Sequence, residues 1–339
     1  MNYIRTLLFL VVCFAAGAGI AEVLLHFRAA APGTPTAHTG VGNAPPLHGF
    51  ALPADPAVLS PALLDRFKAL HASAVSLEYP RAGLKSTALA QAVTAIKKRG
   101  LSVALVPTTL AEPAAHDSAD ENPYPRPLAE IAQQAQDAGV DVLCISWITA
   151  PPPSGSAAYW TAQITAVRKH FHGQIVLAAS ADLAPSLDDL ASADYLGVIG
   201  PVHIPRRLPG ATGAATLDEM RVYWASQLDM LESLALRSGK PVVLLHMEVP
   251  ANVSITLPDP AEPPAPAPLN PSLQELSYQA LLTETKGRLH TEGLFLVWNP
   301  AATADTGAVN GLPALLPKLA TLWASDTPHV STPIADAAK

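Results

Sequence analysis

The chain has few charged residues and almost no cysteine. Only 14% of its 339 residues are charged, and its two cysteines, Cys13 and Cys144, cannot form a disulfide framework. Cys13 lies in an apolar N-terminal segment and Cys144 in an apolar run, so we expect both to be small apolar residues without a disulfide or a metal. The net charge of −7 provides no excess of basic residues, and we predict no nucleic-acid partner.

Several motifs of common enzymes are also missing. The sequence contains no Gly-rich phosphate loop, no Gly-x-Ser-x-Gly motif and no Cys-x-x-Cys motif. A metal site could be sought among His203, His246, Asp182 and Glu248, but no two of them have the i, i+4 spacing of a helical zinc motif. We therefore predict no metal and no cofactor.

What the sequence does contain is eight short apolar runs separated by helical patterns. The clearest runs are apolar on both faces, as parallel strands are when helices cover both sides of the sheet. Strands that alternate with helices predict parallel βαβ units, and eight units are the number that closes a (β/α)8 TIM barrel. We predict this α/β fold for residues 48–326. The runs are 48–52, 74–79, 103–106, 140–147, 174–178, 195–199, 242–247 and 294–298.

Glycines mark the ends of four predicted helices. A glycine just after a helix is favoured because it adopts the left-handed conformation that ends many helices. The helices are 86–99, 128–137, 157–171 and 217–237, and the glycines are Gly100, Gly139, Gly173 and Gly239.

The two ends of the predicted barrel differ in their loops. Helix-to-strand connections are short, whereas the strand-to-helix connections are long and rich in proline. TIM barrels carry their active sites at the C-terminal ends of the strands, so the long loops surround the expected site. At the opposite end, Asp194 begins a strand, where we expect it to accept backbone hydrogen bonds or to pair with Arg168.

The N-terminal region is predicted to be separate from the barrel. Residues 4–27 are apolar over the length that a membrane-spanning helix needs, with Arg5 and Glu22 near the two ends. Residues 1–28 are therefore either a signal anchor or a cleaved signal peptide, since small residues also provide cleavage sites. Residues 29–47 form a Pro/Ala/Gly-rich linker and residues 327–339 a flexible tail. We expect an extracytoplasmic protein, periplasmic or at the cell surface, anchored to the inner membrane or secreted.

Six segments in the second half of the chain form a recognisable series. They are 140–145, 160–173 (WTAQITAVRKHFHG), 175–179, 193–198 (ADYLGV), 239–245 (GKPVVLL) and 293–298 (GLFLVW). In their order and spacing, which cover most of residues 140–298, they resemble glycoside hydrolase family 113, whose members are retaining (β/α)8 enzymes that act on β-mannan-type polysaccharides. The resemblance implies a TIM barrel, a polysaccharide ligand and two catalytic glutamates, after the fourth and the seventh strand.

Neither glutamate is present at its matching position. The resemblance places the acid/base position on Ile148 and the nucleophile position on His246. Retaining hydrolysis needs two carboxyl groups about 5–5.5 Å apart. Isoleucine has no proton to give, and histidine would need a carboxylate partner. The resemblance therefore implies a glycoside hydrolase-like barrel that has lost its catalytic pair, a pseudoenzyme.

Relocated carboxylates are the alternative. Side chains alternate along a strand, so Glu248 would point the same way as His246 if the seventh strand continues that far, and it could then act as a displaced nucleophile. The acid would be Glu78, at the end of the second run, or Asp182, after the fifth. Glu78 could instead be solvated or paired with Arg81, and Asp182 could be a helix N-cap.

Other residues near the predicted strand ends are suited to binding a sugar. Trp147, Trp298 and Tyr79 offer flat rings that can stack on pyranose rings, although each could equally cap the barrel core. His203 and His246 are polar candidates for the same role.

The leading hypothesis is a membrane-tethered, extracytoplasmic barrel that binds or guides a polysaccharide in envelope or exopolysaccharide metabolism. The expected partners are a polysaccharide or oligosaccharide, the membrane through the N-terminal segment, and an envelope protein. One alternative is an active glycoside hydrolase that uses Glu248 with Glu78 or Asp182. Another is a protein-interaction scaffold that uses the proline-rich loops. A barrel fold by itself does not decide among these functions.

Overall fold

The structure, a computed structural model, describes part of the chain. The chain divides into two units, Met1–Gly42 and Asn43–Lys339, and every described residue belongs to the second. The predicted membrane segment therefore lies outside the described residues. Within the described ranges, no helix is both long and apolar enough to cross a membrane. These ranges are 47–55, 57–79, 86–107, 128–146, 148, 156–180, 192–200, 216–249, 271–286, 288, 290–298 and 312–324.

Eight parallel strands close a barrel in chain order, with β8 pairing with β1, and the predicted (β/α)8 barrel is confirmed. The strands are β1 (Leu47–Pro53), β2 (Ala74–Tyr79), β3 (Ser102–Pro107), β4 (Val142–Cys144), β5 (Gln174–Ser180), β6 (Tyr195–Ile199), β7 (Val242–Met247) and β8 (Thr291–Val297). The described helices are α1 (Pro61–Ala69), α2 (Ser86–Lys97), α3 (Leu128–Ala138), α4 (Ser156–Arg168), α5 (Leu217–Ser238), α6 (Pro271–Thr285) and α7 (Leu312–Ala324).

The interior of the barrel is a packed apolar core. Strands β1 to β3 contribute mainly alanines, and β6 to β8 contribute larger side chains, so no open channel is expected through the middle. A second, larger apolar cluster fills the space between the strands and the helices. The buried interior residues are Ala51, Ala74, Ala104, Val106, Val142, Cys144, Val176, Ala178, Tyr195, Ile199, Val243, Leu245 and Phe295.

Helix α5 shows how local sequence sets the ends of an element. The Thr216 hydroxyl accepts the backbone N–H of Glu219, and the Glu219 carboxylate accepts the N–H of Thr216 at 2.8 Å, which is a capping box. At the other end, Gly239 adopts a left-handed φ of 66°. Gly100 and Gly139 follow α2 and α3 with positive φ as well, so the predicted role of these three glycines is confirmed.

The fourth predicted glycine has a different role. Helix α4 ends at Arg168, earlier than predicted, and Gly173 is not among the residues with positive φ. A Cβ atom on Gly173 would lie 2.4 Å from the carbonyl oxygen of Asp141. The prediction that Gly173 ends this helix is therefore wrong, because glycine is needed there for the close approach of the chain to Asp141.

Asp194 stabilises the N-terminal end of the barrel. Its carboxylate accepts the backbone N–H of Ile175 in β5 at 2.7 Å and pairs with Arg168, the last residue of α4. Both predicted roles of Asp194 are confirmed.

Asp141, just before β4, repeats this arrangement two strands earlier. It accepts the N–H of Val103 in β3 at 2.7 Å and pairs with Lys97, the last residue of α2. Two aspartates, Asp141 and Asp194, thus make the same set of contacts. Each joins the start of one strand to the neighbouring strand and to the helix that precedes that neighbour.

The Asp194→Ala variant is expected to lose about 2 kcal/mol of unfolding free energy, because a backbone donor and Arg168 both lose their acceptor. Urea denaturation followed by circular dichroism measures the change. Asp194→Asn, which keeps one acceptor oxygen, should lose less. The exposed Asp137 of α3 provides the control, and its alanine variant should change by less than about 0.5 kcal/mol. Equal stability of the Asp194→Ala and Asp137→Ala variants would contradict the role of this carboxylate.

Candidate functional site

Strand β4 ends early, and beyond its end a serine hydroxyl forms hydrogen bonds to the backbone of β5. The apolar run 140–147 predicts a longer strand than the three residues observed. Beyond Cys144, the Ser146 hydroxyl accepts the N–H of Ala178 at 2.8 Å and donates to the carbonyl of the same residue at 2.9 Å. Ile148 then forms a single bridge to Ala179 and is buried. The position that the resemblance equates with the acid/base glutamate therefore holds a buried alkyl side chain.

Strand β7 carries a bulge at the C-terminal mouth of the barrel. Leu244 and Met247 pair with Leu294 and Leu296 of β8, so three steps along β7 match two along β8. His246 lies within this irregularity and has a φ of 48°, which is unusual for a residue other than glycine. Leu245 belongs to the interior cluster and Met247 to the outer one. The bulge therefore breaks the alternation and brings His246 to the interior side.

His246 lies against Glu78, at the end of β2. Its Nδ1 atom is 2.6 Å from Glu78 Oε1, and the two side chains are 15% and 16% exposed. Glu78 points inward because it continues the alternation of Ala74, which belongs to the interior cluster. The structure thus brings together two of the predicted site residues. In the barrel β2 and β7 are separated by β1 and β8, so the two side chains meet across the interior of the mouth rather than between neighbouring strands.

Glu248 follows the bulge but does not continue the strand. Strand β7 ends at Met247, and Glu248 is exposed. The next residue, Val249, is held by helix α6: its N–H donates to the Tyr278 hydroxyl at 3.0 Å, and its carbonyl accepts from Gln274 at 2.6 Å. The condition for Glu248 to point with His246, a strand that runs on to it, is not met. A catalytic role for Glu248 stays a prediction.

Tyr79 and Trp298 are buried outside the barrel wall rather than open to its mouth. Tyr79 is buried in the cluster between strands and helices. The Trp298 ring packs edge-on against Phe50 and Phe67, with the Arg66 guanidinium 5.4 Å from its centroid. These contacts match the alternative in which each ring caps the core. Sugar stacking by either ring stays a prediction and would require the ring to leave this packing.

Three predicted site residues lie outside the described residues: Trp147, Asp182 and His203. Among the residues that are described, no group of three or more His, Cys, Asp or Glu side chains could hold a metal ion. Cys144 is a buried free thiol, and burial raises its pKa to about 12, so it is an apolar core residue as expected.

The N-terminal end of the barrel contains a polar cluster that the sequence did not reveal. The Tyr195 hydroxyl accepts a hydrogen bond from Gln174 at 2.9 Å, and Glu292 lies close to it. Burial raises the pKa of the Glu292 carboxyl, and burial, with the nearby charge of Glu292, raises the pKa of Tyr195. A shift in pairing between β7 and β8 turns Glu292 toward this cluster, which no sequence pattern indicates. TIM barrels do not carry active sites at this end, so we assign the cluster to stability.

The fold and the mouth together define a class: a (β/α)8 barrel with a carboxylate–imidazole pair at its C-terminal end. No protein-family model matches the sequence, and no curated protein matches it. Solved structures do match. A family GH113 β-1,4-mannanase has 15% identity and a TM-score of 0.62 over 84% of this chain and 100% of its own.

Two further matches come from named organisms. A GH113 β-mannanase from Alicyclobacillus acidocaldarius has 14% identity and a TM-score of 0.60 over 84% of this chain and 98% of its own. A β-D-glucuronidase from Dictyoglomus thermophilum has 12% identity and a TM-score of 0.55, covering 85% of this chain and 52% of its own. At such identities the likeness shows the fold. The expected resemblance to family GH113 is confirmed at the level of the fold.

Proposed function

We propose that this protein is a non-catalytic glycoside hydrolase-like barrel that binds a polysaccharide at its C-terminal mouth. The pairing of Glu78 with His246 carries the proposal. A retaining hydrolase sets two carboxyl groups about 5–5.5 Å apart, one to protonate the leaving oxygen and one to attack the sugar. Here the carboxylate at the mouth faces an imidazole, at the position where the resemblance would put the nucleophile.

The solved structures of similar fold guide the choice of ligand. Two of them are β-mannanases, so a β-linked polysaccharide is the first class of ligand to test. A rigid mouth formed by strand ends also suits binding, because side chains on strands are held more firmly than side chains on loops.

The proposal includes a location outside the cytoplasm, in envelope or exopolysaccharide metabolism. It is supported by the apolar segment at residues 4–27 and by the low-complexity linker at residues 29–47. Cell fractionation and mass determination of the mature N-terminus test it. A mature chain that keeps residues 1–28 in the membrane fraction indicates an anchor, and a chain that starts after the small residues indicates secretion. An intact chain in the cytosol would contradict both.

The experiment for function compares binding with turnover. The full chain, purified in a mild detergent, is incubated with β-mannan, β-glucan and an amino-sugar polysaccharide. Reducing ends and affinity are measured for the wild type and for Glu248→Gln. We expect measurable binding without release of reducing ends, and no effect of Glu248→Gln on either measurement.

Two results would overturn this proposal. Turnover by the wild type that is lost in Glu248→Gln would identify an active glycoside hydrolase with relocated carboxylates. Absence of binding to every polysaccharide tested, together with recovery of an envelope protein by pull-down, would favour a protein-interaction scaffold.

A further inference from the structure

The two ends of the barrel differ in the sign of their charge. Each helix runs back from the mouth, so its last residues lie at the N-terminal end of the strands. Among the described residues, no lysine or arginine lies in the first turn of a helix or at the C-terminal end of a strand, whereas Glu78, Glu219 and Glu248 lie at that end. Exposed basic residues lie in the last turn of α1 and α5 and directly after α2, α4 and α6: Lys68, Arg237, Lys98, Lys169 and Lys286. The N-terminal end is therefore the basic end of the barrel.

Part of this pattern stabilises the fold. The carbonyl groups at the end of a helix favour a nearby cation, so a basic residue there has a structural use. Two helices already have such a residue, because Lys97 and Arg168 pair with the aspartates just before β4 and β6. Lys98 and Lys169 directly follow these two residues, are exposed, and have no ion-pair partner among the described residues. The fold therefore does not account for the second cation of each pair.

Lys68 of α1 adds a third exposed ammonium group, close to the end of α2. A Cβ atom on Gly100, two residues after Lys98, would lie 3.9 Å from Lys68 Nζ. Arg99 joins the same two helix ends, with Nε 2.9 Å from Oδ1 of Asp65 in α1. Like Lys98, Lys68 is exposed and has no ion-pair partner in the part of the chain that the structure describes. The ends of α1 and α2 thus present two uncompensated positive charges side by side.

We propose that the N-terminal end of the barrel docks on an anionic lipid surface through Lys68, Lys98 and Lys169. Lysine is a flexible point charge, without the planar fork by which arginine selects a single carboxylate or phosphate. Lysines spread over separate helix ends suit a surface of many anionic headgroups better than one shaped ligand, and each strengthens such binding about fivefold. The carboxylate of Asp137, exposed near the end of α3, offsets one of these charges.

The inference goes beyond the proposed function, and its membrane rests on the proposed location. Strand β1 begins at Leu47, so the chain enters the barrel at the basic end. Docking by this end keeps the mouth, with Glu78 and Glu248, away from headgroups that would repel these carboxylates. The mouth then stays open to a polysaccharide on the side away from the lipid.

The test measures how fast each lysine of the full chain reacts with a water-soluble amine-reactive ester, read by peptide mass spectrometry. The chain is placed in lipid nanodiscs, either of phosphatidylcholine alone or of an equal mixture with phosphatidylglycerol. At low salt we expect Lys68, Lys98 and Lys169 to react about fivefold more slowly in the anionic discs, and high salt should remove the difference. Lys318, exposed near the middle of α7, is the internal control and should react within about twofold in both, because the field of the lipid falls off within a Debye length.

A matched pair of charge reversals tests whether the lysines themselves cause the docking. In Lys98→Glu one attraction becomes a repulsion, so the difference in Lys169 labelling between the two kinds of disc should fall severalfold. Lys318→Glu changes the net charge equally, away from the basic end, and should keep that difference. Lys98 has no ion pair to lose, so the variant should fold, and circular dichroism checks that it does.

The outcomes separate the docking surface from the proposed function and location. Equal labelling of all three lysines in both kinds of disc, or an unchanged difference in Lys98→Glu, would overturn the docking surface and leave polysaccharide binding and the anchor standing. Protection of the same lysines by a soluble oligogalacturonate, but not by anionic lipid, would overturn it in favour of an acidic polysaccharide. A chain that enters neither disc would overturn the anchor. Co-sedimentation of that soluble chain with anionic discs alone would still support the docking surface, and co-sedimentation with neither would overturn it too.

Discussion

Replacing Gly49 with alanine is expected to prevent the barrel from closing normally, with a loss of about 3 kcal/mol or more of unfolding free energy. Gly49 pairs with Ala74 across the β1–β2 ladder. A Cβ atom at Gly49 would lie 1.9 Å from the carbonyl oxygen of Ala74 and 2.7 Å from its carbonyl carbon. Both are backbone atoms, so no side-chain rotation relieves the clash, and one strand must move away from the other.

Gly239→Ala is the matched control, because it isolates the other cost of losing a glycine. A Cβ atom there meets nothing within 4 Å, but the φ of +66° disfavours alanine by about 1 kcal/mol. Urea denaturation of both variants, followed by circular dichroism and tryptophan fluorescence, gives the comparison. A Gly49→Ala variant no less stable than Gly239→Ala would show that β1 and β2 do not approach as closely as described.

The strands could be predicted because the barrel buries both faces of each one. Strands β2, β6 and β7 have the predicted bounds, since an apolar run in a doubly covered sheet begins and ends with the strand itself. Strand β4 could not be predicted in the same way. Ser146 lies inside an apolar run that looks like a continuing strand, yet its hydroxyl occupies the hydrogen-bonding groups of Ala178 that a ladder would use.

The site was predictable only in part. Both residues of the contact were candidates because they lie near predicted strand ends. Glu78 was a candidate acid, and His246 occupies the position that the resemblance matches to the nucleophile. Their contact was not predictable, because it depends on the bulge in β7, and the sequence Leu245–His246–Met247 carries no glycine or proline that marks one. A backbone irregularity of this kind is set by the packing of neighbouring strands, to which the local sequence contributes little. The same reason explains why the polar cluster of Tyr195 and Glu292 was missed.

Two buried serines of the barrel are expected to differ in their response to alanine substitution. Ser146→Ala removes the hydroxyl that accepts the N–H of Ala178 and donates to its carbonyl. The carbonyl still accepts the N–H of Ile148 at 3.0 Å, but the buried Ala178 N–H loses the acceptor described for it. We expect a loss of about 2–3 kcal/mol of unfolding free energy, for one buried N–H without an acceptor and one lost hydroxyl hydrogen bond. Urea denaturation measures the loss, and hydrogen exchange at the Ala178 amide should become faster than in the wild type.

Ser76→Ala is the matched control in β2. Ser76 is fully buried, and among the described residues its hydroxyl has no hydrogen-bond partner. Replacing an unsatisfied buried hydroxyl with hydrogen removes a desolvation cost, so this variant should be as stable as the wild type or more stable by up to about 1 kcal/mol. Equal losses in the two variants would mean that Ser146 acts through its volume alone. A large loss in Ser76→Ala would reveal a bound water or ligand beneath Glu78, in the interior of the barrel mouth.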